Sequence, residues 1–164
     1  MNATIDSTHE TEINTVSSLI ELLKDLEAGF RASADEAVNP DLKSTFLHYA
    51  AQRHKFASEL QDHAARHGEE PPSTGTLRQA ARVKWMAAWA VVTPRTDLVI
   101  LETCARCEDD AVAAYKDAIE DGKLGDAAEV GIRQNVEILA AQERLCALRD
   151  QYRASVNTST SKPG

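Results

Sequence analysis

The sequence predicts an all-α protein, a four-helix bundle with one long crossover between its second and third helices. Its 164 residues include only 7 glycines and 5 prolines, a composition that favours helices. Apolar residues recur at three- and four-residue steps along four long segments, which is the spacing of one buried helix face. The short connections within each half and the long connection between them predict two helical hairpins joined by a crossover.

Each predicted helix has a recognisable start or stop. Asn39 and Pro40 form a helix start, since asparagine is a good N-cap and proline suits the first helical turn. Gly68 ends that helix, and Gly122 opens a tight connection further on. A shorter helix lies within the crossover. The predicted helices, in chain order, are residues 12–35, 40–67, 76–92, 94–121 and 126–155.

The order of the connections predicts a ferritin-like bundle rather than a simple up-and-down bundle. One domain is expected over residues 12–155, because 164 residues are enough for a single core. The polar ends, residues 1–11 and 156–164, lack helical periodicity and are expected to be disordered tails.

Composition excludes several functions and favours a cytoplasmic location. The net charge is −8 and the pI is about 5.1, which argues against binding to nucleic acid or to an anionic membrane. No apolar run is long enough to span a bilayer, and the first residues lack the apolar region of a secretory signal. The odd number of cysteines, three, does not suggest a disulfide framework. The ligand is not indicated, and a homodimer is left open.

Three charged residues interrupt the apolar stripes of the predicted helices. Glu27, Arg53 and Glu108 each lie mid-helix between core-type residues, and the fourth long helix carries Gln134 and Gln142 on the equivalent face. Buried charges must be paired or bound. One interpretation is a buried layer in which Arg53 bridges both carboxylates and the glutamines satisfy the remaining groups. The other is a ligand or metal site inside the bundle.

A di-iron centre of the ferritin-like type can be compared with these positions. It uses one glutamate from each of two helices and a Glu-x-x-His pair from each of the other two. Glu27 and Glu108 suit the single carboxylates, but the second and fourth long helices contain no Glu-x-x-His, and Arg53 adds a fixed positive charge. We therefore favour no catalytic residue, metal or cofactor. The alternative is iron or another divalent metal bound by Glu27, Glu59, His63 and Glu108.

Other chemistry-bearing residues have simpler explanations. Cys104 and Cys107 have the C-x-x-C spacing, but they lie mid-helix and are expected to pack in the core. Glu59, His63 and His67 share one helix edge, which suits zinc or nickel but also suits an exposed polar flank. In the crossover, two tryptophans one turn apart would dock that helix on the bundle or form a dimerisation patch; they are Trp85 and Trp89.

The chain resembles the bacterial DUF2383 proteins, a four-helix-bundle family placed in the ferritin-like superfamily. The matching motifs are spread over residues 13–150. They are Leu19-Ile20, Glu27-Ala-Gly-Phe30, Gln52-Arg53, Phe56, Glu59-Leu60, Trp85, Glu102, Glu108-Asp109, Tyr115, Gln134 and Ala147-Leu148-Arg149-Asp150.

The resemblance implies a ferritin-like bundle and no particular activity, since the family is of unknown function. Two positions depart from the expected pattern, because Ala81 and Gln142 stand where the resemblance implies histidines. Both departures weaken a metal site. The sequence therefore favours a non-enzymatic binding or scaffolding protein with a buried Glu–Arg–Glu layer. The alternative is a di-iron-like oxidoreductase or a metal-storage protein.

Overall fold

Four α-helices account for most of the residues that the structure, a computed structural model, describes: 2–69 and 96–161. They are α1 (Asn2–Glu36), α2 (Pro40–Arg66), α3 (Asp97–Glu120) and α4 (Ala128–Thr160), with a 3₁₀ turn at Gly125–Ala127 before α4. The predicted all-α bundle is confirmed for these residues. None of the described helices combines the length and apolar character needed to cross a bilayer.

The helix starts follow the local sequence. Asn39 has extended backbone angles, and its side chain accepts hydrogen bonds from the backbone N–H groups of Asp41 and Leu42. Pro40 is the first residue of α2, as predicted. At the start of α3, the Thr96 hydroxyl accepts a hydrogen bond from the Val99 N–H at 3.3 Å. These caps satisfy N–H groups that have no partner within their own helix.

One end of the bundle is held together by contacts among all four helices. The Asp97 carboxylate, at the start of α3, accepts hydrogen bonds from the backbone N–H groups of Val38 and Asn39 at 2.8 and 3.0 Å. The Asn39 side chain donates to the Tyr152 hydroxyl near the end of α4 at 2.7 Å. The end of α1 and the start of α2 therefore meet the start of α3 and the end of α4.

The opposite end brings together the remaining helix ends. Glu12 of α1 accepts a hydrogen bond from the Asp126 backbone N–H at 3.0 Å, just before α4. His67, after α2, places Nε2 3.5 Å from the Asp126 carboxylate. Helices α2 and α3 therefore run in the same direction. The chain between Glu69 and Thr96 joins opposite ends of the bundle, which is the geometry that the predicted long crossover requires.

The core lies between two antiparallel hairpins. Helix α1 packs mainly on α2 and α3 mainly on α4, while α1 with α3 and α2 with α4 make smaller interfaces. Large side chains that are fully buried come from every helix and from the turn before α4; they include Ile20, Leu23, Phe46, Phe56, Leu60, Ile100, Leu101, Tyr115, Leu124, Ile138 and Leu145. This packing surrounds the polar residues singled out from the sequence.

The first and last helices are longer than predicted, and the predicted crossover helix lies outside the described residues. Disordered tails are expected at residues 1–11 and 156–164, whereas the structure continues helix from Asn2 and through Thr160. In α1, Thr11 and Thr15 donate to the carbonyls four residues earlier. Such exposed helix buries no apolar stripe, so hydrophobic periodicity cannot reveal it. The predicted helix 76–92, with Trp85 and Trp89, lies in the part not described.

Candidate functional site: the buried polar groups of the bundle

The centre of the bundle contains an ion pair between α2 and α3. Arg53 Nη2 lies 2.5 Å from Glu108 Oε2, and both side chains are 0% exposed. Arg53 also donates from Nη1 to the side-chain oxygen of Gln52. A buried charge-assisted pair is short and directional. Burial raises the pKa of Glu108, while the charge and hydrogen bond of Arg53 oppose that rise.

Three aromatic rings surround the Arg53 guanidinium. Its central carbon lies 5.7 Å from the Phe30 ring centre, 5.9 Å from that of Tyr49 and 5.8 Å from that of Phe56. A guanidinium near aromatic faces gains cation–π stabilisation, and its weak hydration makes arginine the cation best suited to such a place. Arg53 is therefore fixed from several sides.

Glu27 does not join this pair, and the predicted bridge by Arg53 between two glutamates is wrong. The Glu27 carboxylate is held by three other side chains, two of them permanently basic. It lies 3.1 Å from Arg31 Nη2, 3.5 Å from Lys24 Nζ and 3.2 Å from His54 Nδ1. Lys24 and Arg31 lie within a turn of Glu27 on α1, so they reach it more readily than a side chain from the bundle centre. The predicted layer is thus divided into two groups.

A second hydrogen-bond chain runs from the core to the surface between α3, α4 and α2. The buried Tyr115 hydroxyl donates to Gln134 Oε1 at 2.8 Å. Gln134 Nε2 donates to the Phe56 carbonyl at 3.1 Å and to Glu59 Oε2 at 2.9 Å. Glu59 in turn accepts from Arg133 at 2.8 Å. Gln134 is fully buried, as predicted, and it links three helices.

Gln142 lies away from the buried groups. Its side chain is half-buried and donates to the Asp109 carboxylate at 2.6 Å at the α3–α4 edge. Gln142 follows Gln134 by eight residues, slightly more than two helical turns, so the two point in different directions. The prediction that Gln142 belongs to the buried layer is therefore wrong.

The four residues of the alternative metal site do not converge on one point. Glu27 faces Lys24, Arg31 and His54, Glu108 faces Arg53, and Glu59 is bound by Arg133 and Gln134. His63 stacks against His67, with ring centres 4.3 Å apart. Within residues 2–69 and 96–161, no three His, Cys, Asp or Glu side chains are grouped to hold a metal ion. This donor set does not fit a di-iron centre.

The cysteines are free thiols within the packed helices. Cys104 is buried with its sulfur 3.2 Å from the Ser33 hydroxyl, and that hydroxyl also bonds to the Gly29 carbonyl. Burial raises the pKa of Cys104 well above its usual range and raises that of Cys107 to about 11. Since the thiolate is the reactive form, these environments suppress nucleophilic chemistry.

Sequence reasoning missed several members of these polar groups. Tyr115 enters the sequence prediction only through the family resemblance, although it follows Glu108 by seven residues on the same face. Its spacing from Glu108 could have placed its hydroxyl near the buried charge. Lys24 and His54 carried no such signal, because each lies at the edge of its apolar stripe and reads as an ordinary solvent-facing polar residue.

The two buried glutamates predict opposite pH dependences of stability. Burial raises the pKa of Glu27, but the Arg31 hydrogen bond and the charges of Lys24 and His54 outweigh it, so the pKa is lowered. Its contribution is therefore present above the ordinary value of 4.5 and is lost as pH falls. The pKa of Glu108 is raised, so its contribution to stability is fully present below 4.5 and is lost as the pH rises.

Chemical unfolding at a series of pH values checks this difference. The stability advantage of wild type over Glu27→Gln should shrink as the pH is lowered below 4.5. The corresponding difference for Glu108→Gln should move in wild type's favour as the pH falls toward 4.5 from above, and should then stay constant below 4.5, which makes each variant the control for the other. Parallel curves for both variants would contradict the assignment.

Comparison with known proteins identifies a family for this chain. A family model described as "Domain of unknown function (DUF2383)" matches residues 11–121, more than half of the chain. The matched range contains Glu27, Arg53 and Glu108 but not Gln134. No curated protein matches the chain.

Proposed function

The chain belongs to the DUF2383 family of domains of unknown function, and from its geometry we propose that it is a non-enzymatic binding or scaffolding protein. The Arg53–Glu108 pair carries this proposal. It places a permanently charged guanidinium in the bundle interior, in contact with the carboxylate that a metal centre there would need. Two like charges in one low-dielectric space repel strongly, so Arg53 disfavours a divalent cation at Glu108.

The environment of the other carboxylates supports the same proposal. Glu59 of α2, which is partly exposed, is bound by Arg133 and by the Gln134 amide. Both interactions use Oε2 of Glu59, and the positive charge of Arg133 beside that oxygen disfavours a cation there. The alternative of a metal-binding oxidoreductase or storage protein would require both carboxylates to exchange their cationic partners for metal ions.

The proposal includes a ferritin-like ancestry of the bundle and a cytoplasmic location in a bacterium. The parallel direction of α2 and α3, with one long connection between them, supports the ferritin-like bundle. The three free cysteines support the cytoplasmic location, because reduced thiols are usual in the cytoplasm.

Metal content tests the non-enzymatic proposal. Protein purified without a histidine tag should contain far less than one equivalent of iron, manganese or zinc per chain by elemental mass spectrometry. Glu108→Ala should have the same metal content as wild type. Stoichiometric metal in wild type that disappears in Glu108→Ala would overturn the proposal. His63→Ala is the matched control. Metal that is lost in His63→Ala but kept in Glu108→Ala would indicate adventitious binding at the surface.

We propose a second copy of the chain as the partner in the scaffolding role. Helix α4 exposes three large apolar side chains on the side opposite its buried face, namely Ile132, Val136 and Leu139. Exposed apolar surface of this kind is typical of an interaction site. Light scattering of the untagged protein should give twice the chain mass of 17.9 kDa. A monomer across the accessible concentration range would contradict the homodimer.

A further inference from the structure

The buried ion pair has one unpartnered atom on each member. Arg53 Nε and Glu108 Oε1 are both buried, and neither has a hydrogen-bond partner in the part of the chain that the structure describes. The first is a donor and the second an acceptor. Leaving either group unsatisfied in the interior carries a desolvation penalty. The two atoms are therefore chemically complementary and both need a partner.

Covalent geometry keeps these two atoms close together. Nε is bonded to the same guanidinium carbon as Nη2, and Oε1 shares its carboxyl carbon with Oε2. Because Nη2 and Oε2 are 2.5 Å apart, the two unpartnered atoms belong to planar groups that are already in contact. They do not bond directly. A single small molecule that both accepts and donates hydrogen bonds can reach both atoms.

A third polar group faces the same region. The Tyr115 hydroxyl donates to Gln134, which leaves the lone pairs of its oxygen available as an acceptor. Burial raises the pKa of Tyr115, and the charges of Arg53 and Glu108 also act on it, the first lowering and the second raising the pKa. Gln134, which accepts from this hydroxyl, also bonds to the Phe56 carbonyl, and the Phe56 ring lies 5.8 Å from the Arg53 guanidinium carbon. A buried water usually makes about three hydrogen bonds to such groups.

We propose that the Arg53–Glu108 pair binds one internal water molecule between α2 and α3. The water accepts a hydrogen bond from Arg53 Nε and donates to Glu108 Oε1 and to the Tyr115 hydroxyl. It connects the ion pair to the chain formed by Tyr115, Gln134 and Glu59, so that the buried polar groups of three helices form one network. The site takes a single oxygen atom with two protons.

A high-resolution crystal structure of the wild-type protein tests the water directly. The expected result is a single oxygen peak at about 2.7–3.2 Å from both Arg53 Nε and Glu108 Oε1. Direct pairing of Nε with Oε1, with no peak between the side chains, would overturn the proposal. A peak with anomalous signal and metal–ligand distances would overturn both this inference and the non-enzymatic function, whereas direct pairing leaves that function intact.

Magnetic relaxation dispersion of water oxygen-17 provides the test in solution, because it counts water molecules held for long times. The variant Arg53→Met/Glu108→Leu should hold one long-lived water fewer than wild type. Arg133→Met is the matched control, since it removes an arginine from a half-exposed ion pair and should leave the count unchanged. An unchanged count in the folded double variant would overturn the proposal. If that variant does not fold, the wild-type crystal structure decides.

Discussion

Replacing Glu108 with leucine is expected to lower the free energy of unfolding by about 3–5 kcal/mol, because it leaves a buried arginine uncompensated. Arg53 is fully buried, and its only other side-chain hydrogen bond in the described chain goes to Gln52. Its guanidinium cannot lose its proton at ordinary pH. The charge must therefore remain in the interior, or the surrounding helices must open to hydrate it.

The double variant separates this effect from simple loss of packing. Arg53→Met/Glu108→Leu removes both charges and keeps most of the side-chain volume. Its free energy of unfolding should return close to that of wild type or exceed it, because the desolvation cost of both charges disappears. A double variant as unstable as Glu108→Leu would show that the loss comes from packing, and the ion-pair account would be wrong.

Glu102→Leu is the matched control on the same helix. Glu102 pairs with Arg153 at 2.7 Å, but both side chains are partly exposed. A surface ion pair contributes only about 0–1 kcal/mol. Urea unfolding followed by circular dichroism should therefore show a small change for Glu102→Leu and a large one for Glu108→Leu. Equal losses would indicate that burial does not determine the effect.

Replacing Gln134 with leucine is expected to cost about 1–3 kcal/mol for each buried group that it leaves without a partner. The Tyr115 hydroxyl would lose its acceptor and the Phe56 carbonyl would lose the donated hydrogen bond. Leucine has nearly the volume of glutamine, so the loss should come from hydrogen bonding rather than from a cavity.

A double-mutant cycle with Tyr115→Phe measures the central bond of this chain. The combined variant should be more stable than the sum of the two single losses predicts, because both partners of one hydrogen bond are then absent. Gln142→Leu is the control, since Gln142 is half-buried and bonds to Asp109 at the edge of the bundle. Additive losses for Tyr115 and Gln134 would show that their contact contributes nothing to stability.

The sequence predicts where the buried ion pair lies. It predicts only in part which residues form it, because Glu27 is not a partner of Arg53. Arg53 and Glu108 interrupt strong apolar stripes, and an α-helix directs such residues inward whatever the detailed packing. Glu27 satisfies the same rule, and it is indeed buried. Which cation it binds depends on side chains one turn away and on the rotation of α1 against α2, and periodicity specifies neither.

Gln134 and Gln142 illustrate the same limit on α4. Both were placed on one face, but only Gln134 reaches the interior. A deviation of a few tens of degrees about the helix axis separates a core position from an edge position. The exposed parts of α1 and α4 could not be predicted either, because a helix that buries nothing has no apolar stripe.

The central claim is that the Arg53 guanidinium, and not a metal ion, neutralises the buried carboxylate of Glu108. Anomalous difference maps from crystals of the untagged protein, grown with iron or manganese present, test it most directly. The account predicts Arg53 against Glu108 and no anomalous peak within coordinating distance of Glu108 or Glu59. A peak bound by these carboxylates, with Arg53 displaced from Glu108, would contradict it.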